Sequence, residues 1–543
     1  MQEILLIPPL PAPPVTLGPA PEVCFHCPVD ISPARLIAFE ALRRVEAEGA
    51  YASDVLHAAL TPAVKPADAA LATELTLGVL RQRRLLDSLL EPHLKKPIAK
   101  LDLAVALALR LGLYQLHFLQ RIPSRAAVND SVNLVKRARK SSAAPLVNAI
   151  LRRLAAQASS SGHGFSRAVS PAESSRLQPL RDPAGSSVER LAVAHSHPTW
   201  LVERWLVRLD EPRTLPLLDA DNRAPRLVLA LHDPAARDAI RAELEKSGLR
   251  VEPGALLNFA LAVSGGSPIR TDAFHRGAIS VQDEASQIIP LLLDVRPGHR
   301  VLDLCAAPGG KTSPLVRAAG NSGLVIAADR HAHRLRAMRA QFERLHLSPV
   351  HLLELDATQP LPFPARFDRI LVDAPCSGTG TLARHPEIRW RLQPEQLAEF
   401  HRLQVAILSS ALDALAPGGR LVYSTCSLEP EENESVIAEV LASRSHNAQA
   451  PRAQGSLGGR SLPVGRQGFS SDIAAAEKVS GASAPEASGP HLLPASDSAS
   501  ILAPHLAPGL DPLSFFDSSG FFRTLPGTHP SDGFFAAILS LPR

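Results

Sequence analysis

Val301-Leu302-Asp303-Leu304-Cys305-Ala306-Ala307-Pro308-Gly309-Gly310-Lys311-Thr312 is the stretch that decides the fold. An apolar run of strand length meets a turn of small residues, and a helix start follows. A βαβ unit of an open parallel sheet begins this way. In such sheets ligands bind at the carboxyl ends of the strands, near the topological switch point. A turn of alanine, proline and glycine lets a ligand approach the backbone, and the next helix offers unpaired N–H groups.

Around that stretch, from 277 to about 440, short apolar runs alternate with helix-period segments. Strands are expected at 300–304, 323–329, 351–356, 369–373 and 420–424. Asp329 and Asp356 close the second and third. There one carboxylate can accept hydrogen bonds from ribose hydroxyls, and the other can face an adenine amino group. A strand-terminal aspartate can equally cap a helix or shape a turn. A phosphate-binding loop competes, because Gly310-Lys311-Thr312 has its ending and Ile370-Leu371-Val372-Asp373 resembles its acidic partner strand. That pattern needs glycine where Cys305 stands. Acidic strand ends around the loop favour a nucleoside-bearing cofactor, S-adenosyl-L-methionine.

Five cysteines occur, at 24, 27, 305, 376 and 426, too few and too scattered for a disulfide framework. A reducing, cytoplasmic setting is expected. Cys24-Phe25-His26-Cys27 has the spacing of half a zinc site, but no second pair completes it, so no metal is expected. Asp373-Ala374-Pro375-Cys376-Ser377-Gly378-Thr379-Gly380 follows the fourth strand, and Tyr423-Ser424-Thr425-Cys426-Ser427 follows the fifth. A lone cysteine in apolar surroundings is usually inert packing. Both of these lie in turns beyond strand ends, beside polar residues.

Such thiols suit one reaction well. Carbon 5 of cytosine is a poor nucleophile until something adds to carbon 6. A thiolate at carbon 6 pushes electron density to carbon 5, which can then take a methyl group from a sulfonium donor. Ring nitrogen N3 gains density in that addition, and Asp373 is placed to assist it. The chemistry alone leaves the nucleophile open between Cys376 and Cys426.

The rest of the chain is multidomain, since 543 residues exceed one compact core. Residues 1–30 are Pro-rich and read as a disordered tail without the basic lead of a signal peptide. Residues 31–155 have helical periodicity. Ser32-Pro33 starts a helix, and Pro123-Ser124 breaks one and starts another. The apolar run Leu101 to Leu119 contains Arg110 and His117, so it reads as a buried bundle helix with no membrane role. Lys136, Arg137, Arg139, Lys140, Arg152 and Arg153 form either a solvated face or a phosphate-contacting one. Residues 156–188 form a Ser/Pro/Gly/Ala-rich linker, and 189–276 a small α/β linking subdomain. Residues 277–543 form the Rossmann-like domain, with a low-complexity insertion at about 443–515. Phe521-Phe522-Arg523 and 532–539 read as a closing strand pair.

Three ordered stretches resemble one family, the bacterial 16S rRNA 5-methylcytosine methyltransferases of the RsmB (Sun/Fmu) type. They are 303–312, 373–380 and Ser424-Thr425-Cys426-Ser427-Leu428-Glu429-Pro430-Glu431-Glu432-Asn433-Glu434. Residues 277–286 and 196–202 add two more. The stretches 70–81 and 147–154 are similar to the NusB-type RNA-binding domain that precedes the catalytic domain in this subfamily. The resemblance implies an all-α NusB-like bundle, a small α/β linking domain and an α/β Rossmann-like methyltransferase domain. It implies that Cys305, Ala306, Ala307, Pro308, Gly309, Gly310, Lys311, Asp329, Asp356 and Asp373 surround S-adenosyl-L-methionine. It also implies that Cys426 is the nucleophile and that Cys376 assists release of the methylated base. The expected partner is RNA, 16S rRNA first and tRNA or another RNA second, with the protein a monomer. A non-catalytic NusB-like scaffold is the reading from another class, and the completeness of the catalytic set disfavours it. The tail, the linker, the insertion and the loose stretch 221–227 depart from the family pattern.

Overall fold

The computed structural model describes residues 31–160, 186–348, 350–449 and 489–543. The expected tail with its Cys24/Cys27 pair, most of the linker and residues 450–488 of the insertion lie outside the described residues.

The N-terminal domain is a helical bundle built around the helix Leu103–Phe118, which packs against Pro33–Glu48, Pro66–Arg81, Ser124–Arg137 and Ala144–Ser160. Its apolar residues face neighbours all round, as a helix without a polar side must. Arg110 is tolerated inside it because Asp87 and Glu46 pair with the guanidinium at 2.7 and 2.9 Å. Ser32 occupies the N-cap position of the first helix with Pro33 at its start, and the helix ends on Gly49 at φ 70°. Lys136, Arg139, Lys140, Arg152 and Arg153 are exposed and Arg137 half-buried. Lys140 pairs with Asp102 at 2.7 Å.

The linking region holds three helices, Ser187–Ala194, Thr199–Leu209 and Glu211–Asp221, followed by a four-stranded antiparallel sheet. Its strands are β1 (Leu227–Leu231), β2 (Arg250–Pro253), β3 (Leu261–Ser264) and β4 (Ile279–Val281), in the order β2-β3-β1-β4. The boundary expected at 277 is therefore too early. Ile279-Ser280-Val281 pairs with β1, opposite Leu231, Ala230 and Leu229, and covers an edge that would otherwise be open.

The larger sheet contains β5 (Arg300–Asp303), β6 (Leu324–Asp329), β7 (His351–Glu354), β8 (Phe367–Asp373), β9 (Leu415–Thr425), β10 (His491–Leu492) and β12 (Phe534–Ser540), with β11 (Phe522–Thr524) paired to β12. The order is β10-β12-β9-β8-β5-β6-β7, with β5 through β9 parallel and β12 antiparallel to β9. The chain leaves β5 toward β6 and β7, then crosses back to β8 on the other side. The loop after β5 thus sits at the switch point.

The expected insertion at 443–515 is overturned at both ends. The helix Glu434–Gln449 runs through its start, and residues 489–515 fold. Leu502 of the helix Ala495–Leu502, with Leu506 and Phe515, is buried in the core against the larger sheet, and Ala499 of the same helix is buried as well. Asn258 N and Ala507 N fasten this segment to the 256–258 turn by hydrogen bonds to His505 O and Leu256 O, at 3.0 and 2.8 Å. Its Ser/Ala-rich composition concealed a sparse set of apolar contacts that suffice against an existing core.

A short segment joins the three parts. After Gly380 the chain runs through Arg384, Glu387, Arg389, Trp390 and Arg391 into the joint between bundle and linking region. Arg389 is fully buried and donates to Ser196 O at 3.0 Å, Asp221 O at 3.0 Å, Asn222 Oδ1 at 2.9 Å and Arg81 O at 3.3 Å. Trp390 Nε1 donates to Leu80 O at 2.7 Å, and Ala52 N donates to Glu387 Oε1 at 3.0 Å. The loose stretch 221–227 therefore starts as part of this joint, while Arg223 and Arg226 are exposed.

Candidate active site

Small residues let the loop after β5 wedge under the next layer. Ala306 and Ala307 pack with Ala327, Leu335, Met338 and Phe342. Gly309 adopts φ +101°, and a side chain there would strike Phe342. Asp303, the last residue of β5, accepts a hydrogen bond from Thr312 Oγ1 at 2.7 Å. Burial pushes its carboxyl up to about 7. Its other oxygen has no hydrogen-bond partner among the described residues. An unsatisfied buried oxygen beside a glycine-rich loop is what a polar ligand would leave when absent.

Asp329 closes β6 beside that loop. One oxygen accepts from His331 N at 3.0 Å, and the other pairs with Arg334 at 3.2 Å. Arg334 also donates to Ala307 O at 2.9 Å, tying strand end to loop. β7 ends at Glu354, so Asp356 stands in the turn beyond it and not at a strand end. Its Oδ1 accepts from Thr358 N at 3.0 Å and Thr358 Oγ1 at 2.7 Å, which lowers its pKa. Cys305 packs against the apolar layer around Leu302 and Ile370, and burial raises its thiol pKa.

β8 and β9 are neighbours in parallel register, with Asp373 opposite Ser424. The turns beyond them bring Cys376 Sγ and Cys426 Sγ to 3.4 Å. Both thiols are half-buried. Their mutual hydrogen bond and burial hold Cys376 well above the usual thiol range. Asp373 accepts from Lys311 Nζ at 2.6 Å and from Ser424 Oγ at 2.8 Å. Burial pulls Lys311 down, but Asp373 outweighs it and the net shift is upward. The ammonium lies 5.0 Å from the Phe534 ring centroid. Lys311 is thus anchored toward Asp373 and the thiols, while the rest of its loop faces Asp329.

The comparisons with known proteins bear on this arrangement. The family model described as 16S rRNA methyltransferase RsmB/F matches residues 290–540, and that of the NusB family matches residues 32–156. The probable ribosomal RNA small subunit methyltransferase B of Bacillus subtilis is 32% identical over 74% of this chain and 87% of its own length. Ribosomal RNA small subunit methyltransferase B of Erwinia tasmaniensis is 34% identical over 75% of this chain and 89% of its own. The chain belongs to the RsmB/F methyltransferase family. The crystal structure of PH0851 covers 94% of this chain and 99% of its own with a TM-score of 0.68, and at 24% identity it shows a shared fold.

Within that RsmB/F site, several groups escaped the sequence reading. Asp303 was legible only as a strand residue. Gly533, in the closing strand pair, exchanges backbone bonds with the thiol loops: Gly533 N donates to Gly380 O at 2.7 Å, and Gly380 N to Cys426 O at 2.9 Å. Arg384 bridges Asp283 and Asp532 at 2.7 and 2.6 Å, fixing the segment before Phe534. Glu432 lies buried between the two cysteine turns. These contacts span up to 249 residues of sequence, as for Asp532 N to Asp283 Oδ1, so no local pattern announces them. Among the described residues no helix is long and apolar enough to cross a membrane.

Proposed function

We propose that this chain methylates carbon 5 of a cytosine in 16S rRNA, with S-adenosyl-L-methionine as donor and Cys426 as covalent nucleophile. The observation that carries the reading is the thiol pair, 3.4 Å apart and flanked by the Lys311–Asp373 pair at the carboxyl edge of the sheet. When bound, S-adenosyl-L-methionine supplies an electrophilic methyl group. The backbone of 305–310 and the carboxylates of Asp329 and Asp356 are the groups available to hold it. Lys311 orients Asp373.

The Cys426 thiolate adds to carbon 6, an S–C bond forms, and the electron pair moves toward carbon 5 and N3. N3 takes up a proton as it gains density, and the Asp373 carboxylate stands to accept a hydrogen bond from that N3–H. After carbon 5 has been methylated, a water molecule takes its proton, the C–H electron pair reforms the carbon 5–carbon 6 double bond, and the S–C bond breaks to return the thiolate to Cys426. Cys376 assists this release. The assignment of roles to the two thiols follows the family resemblance. Five of the six basic residues between 136 and 153 form no ion pair among the described residues, which supports RNA phosphate as their partner.

The test is methyl transfer from radiolabelled S-adenosyl-L-methionine to unmodified small-subunit rRNA, followed by nucleoside analysis. Label in 5-methylcytosine is the expected result, and Cys426→Ala should abolish it while retaining cofactor binding. Label in tRNA alone would keep the chemistry and move the substrate. Cofactor binding without transfer to any RNA would favour the scaffold reading.

A further inference from the structure

Glu432 is a carboxylate with no solvent exposure, in the short turn Pro430–Glu432 behind the thiols. Among the described residues it makes no hydrogen bond to either sulfur. Its Oε1 accepts from Ser377 N at 2.7 Å and from Gln404 Nε2 at 3.1 Å. Its Oε2 accepts from the hydroxyls of both Ser377 and Ser427. Those hydroxyls are themselves 3.0 Å apart. Ser377 follows Cys376 in the chain, and Ser427 follows Cys426. Gln404 Nε2 also donates to Pro375 O at 2.9 Å, so Cys376 is held by the residue on either side of it. The brace is backed from below, because Tyr423 OH donates to Glu432 O at 2.6 Å.

A buried carboxylate is costly unless its lone pairs are filled, and here every partner comes from one of the thiol turns or from the residue supporting them. Burial raises the pKa of this carboxyl, while the serine and glutamine donors oppose the shift. The arrangement spends its hydrogen bonds on joining two separate loops. Apolar side chains could fill the same volume without joining anything.

We propose that Glu432 is a positioning residue that sets the distance between Cys376 and Cys426, and through it the rate at which the methylated base is released. The second half of this statement rests on the assignment of Cys376 to release under the proposed function. The first half does not. The experiment therefore reads the two separately, on the full chain. Phenylarsine oxide bridges two thiols only when they lie side by side, and it reports the distance without any catalysis. In the full chain carrying Cys24→Ala and Cys27→Ala, which removes the other closely spaced cysteine pair, stoichiometric capture is expected, and its loss on adding Cys376→Ala or Glu432→Ala. Glu432→Gln should restore capture, because an amide oxygen can still accept from Ser377 N and its NH2 group can donate to the hydroxyls. The Ser377→Ala/Ser427→Ala pair tests the same brace should Glu432→Ala fail to fold.

In turnover, Glu432→Ala should accumulate a denaturation-resistant RNA–protein adduct. Its kcat should fall by about a hundredfold, the scale of an ångström-sized misplacement, with KM for S-adenosyl-L-methionine unchanged. Undiminished arsenical capture by a folded brace variant would overturn the positioning role. Lost capture with normal release would overturn the link to release. Lost capture with no adduct in Cys376→Ala either would overturn the role of Cys376 and leave the brace standing.

Discussion

A side chain at residue 380 would overlap the Gly533 carbonyl oxygen and stand 2.9 Å from that of Cys426. Both obstacles are backbone, so neither can rotate away. Gly380→Ala should cost about 1–3 kcal/mol in denaturant unfolding, as overpacking does, and should reduce methyl transfer more than thermal stability alone explains. An unaltered variant would show that the 380–533 contact is dispensable. At this scale the sequence was a good guide to identity and a poor guide to company. Lys311, Asp373, Cys376 and Cys426 all lie in readable motifs, and the structure gathers them. Asp356 is the instructive exception: it shapes a turn with Thr358 one step past the strand, as aspartate does when a neighbouring N–H is free.

Among elements, the inner strands β5, β6, β8 and β9 follow the apolar runs because they are largely buried on both faces, which leaves no alternation to misread, while the edge strand β7 stays partly exposed. The helix Ala495–Leu502 was missed for the opposite reason. Its sequence, Ala-Ser-Asp-Ser-Ala-Ser-Ile-Leu, carries few apolar residues, and only Ala499 and Leu502 among them are buried. Leu502→Ala should therefore destabilise the catalytic domain by about 2–5 kcal/mol in urea unfolding, the range for a core leucine. A loss within about 0.5 kcal/mol, the size of a surface change, would mean that the segment does not dock.

At the scale of the whole molecule, one segment ties the cysteine turn to both other domains. Arg389→Met would leave four acceptor oxygens without their donor at a fully buried joint. Calorimetry should then resolve the bundle from the catalytic domain as separate transitions, where the wild type melts together. A single unshifted transition would show that the joint does not couple them. The same joint predicts a pH effect. His197, whose pKa burial holds well below the ordinary histidine range, donates from Nδ1 to His195 O and so turns Nε2 toward Asp221 as an acceptor, 3.2 Å away. Burial raises the Asp221 carboxyl to about 7, which supplies the proton for that bond. Its folded pKa exceeds its unfolded value of 3.8, so folding takes up a proton between them. The stability it contributes is full below the lower value and is lost as pH rises through about 7. Asp221→Asn cannot ionise, so its melting temperature should gain on the wild type as pH rises across that window. A difference independent of pH would rule the proton out. By itself the sequence determined the parallel sheet, its cofactor loop and the two reactive turns, since strand burial and turn chemistry are written in consecutive residues. Only the tertiary structure decided the 3.4 Å sulfur separation, the Glu432 brace and the Arg389 joint. Each depends on polar groups far apart in the chain that are satisfied only when separate loops meet.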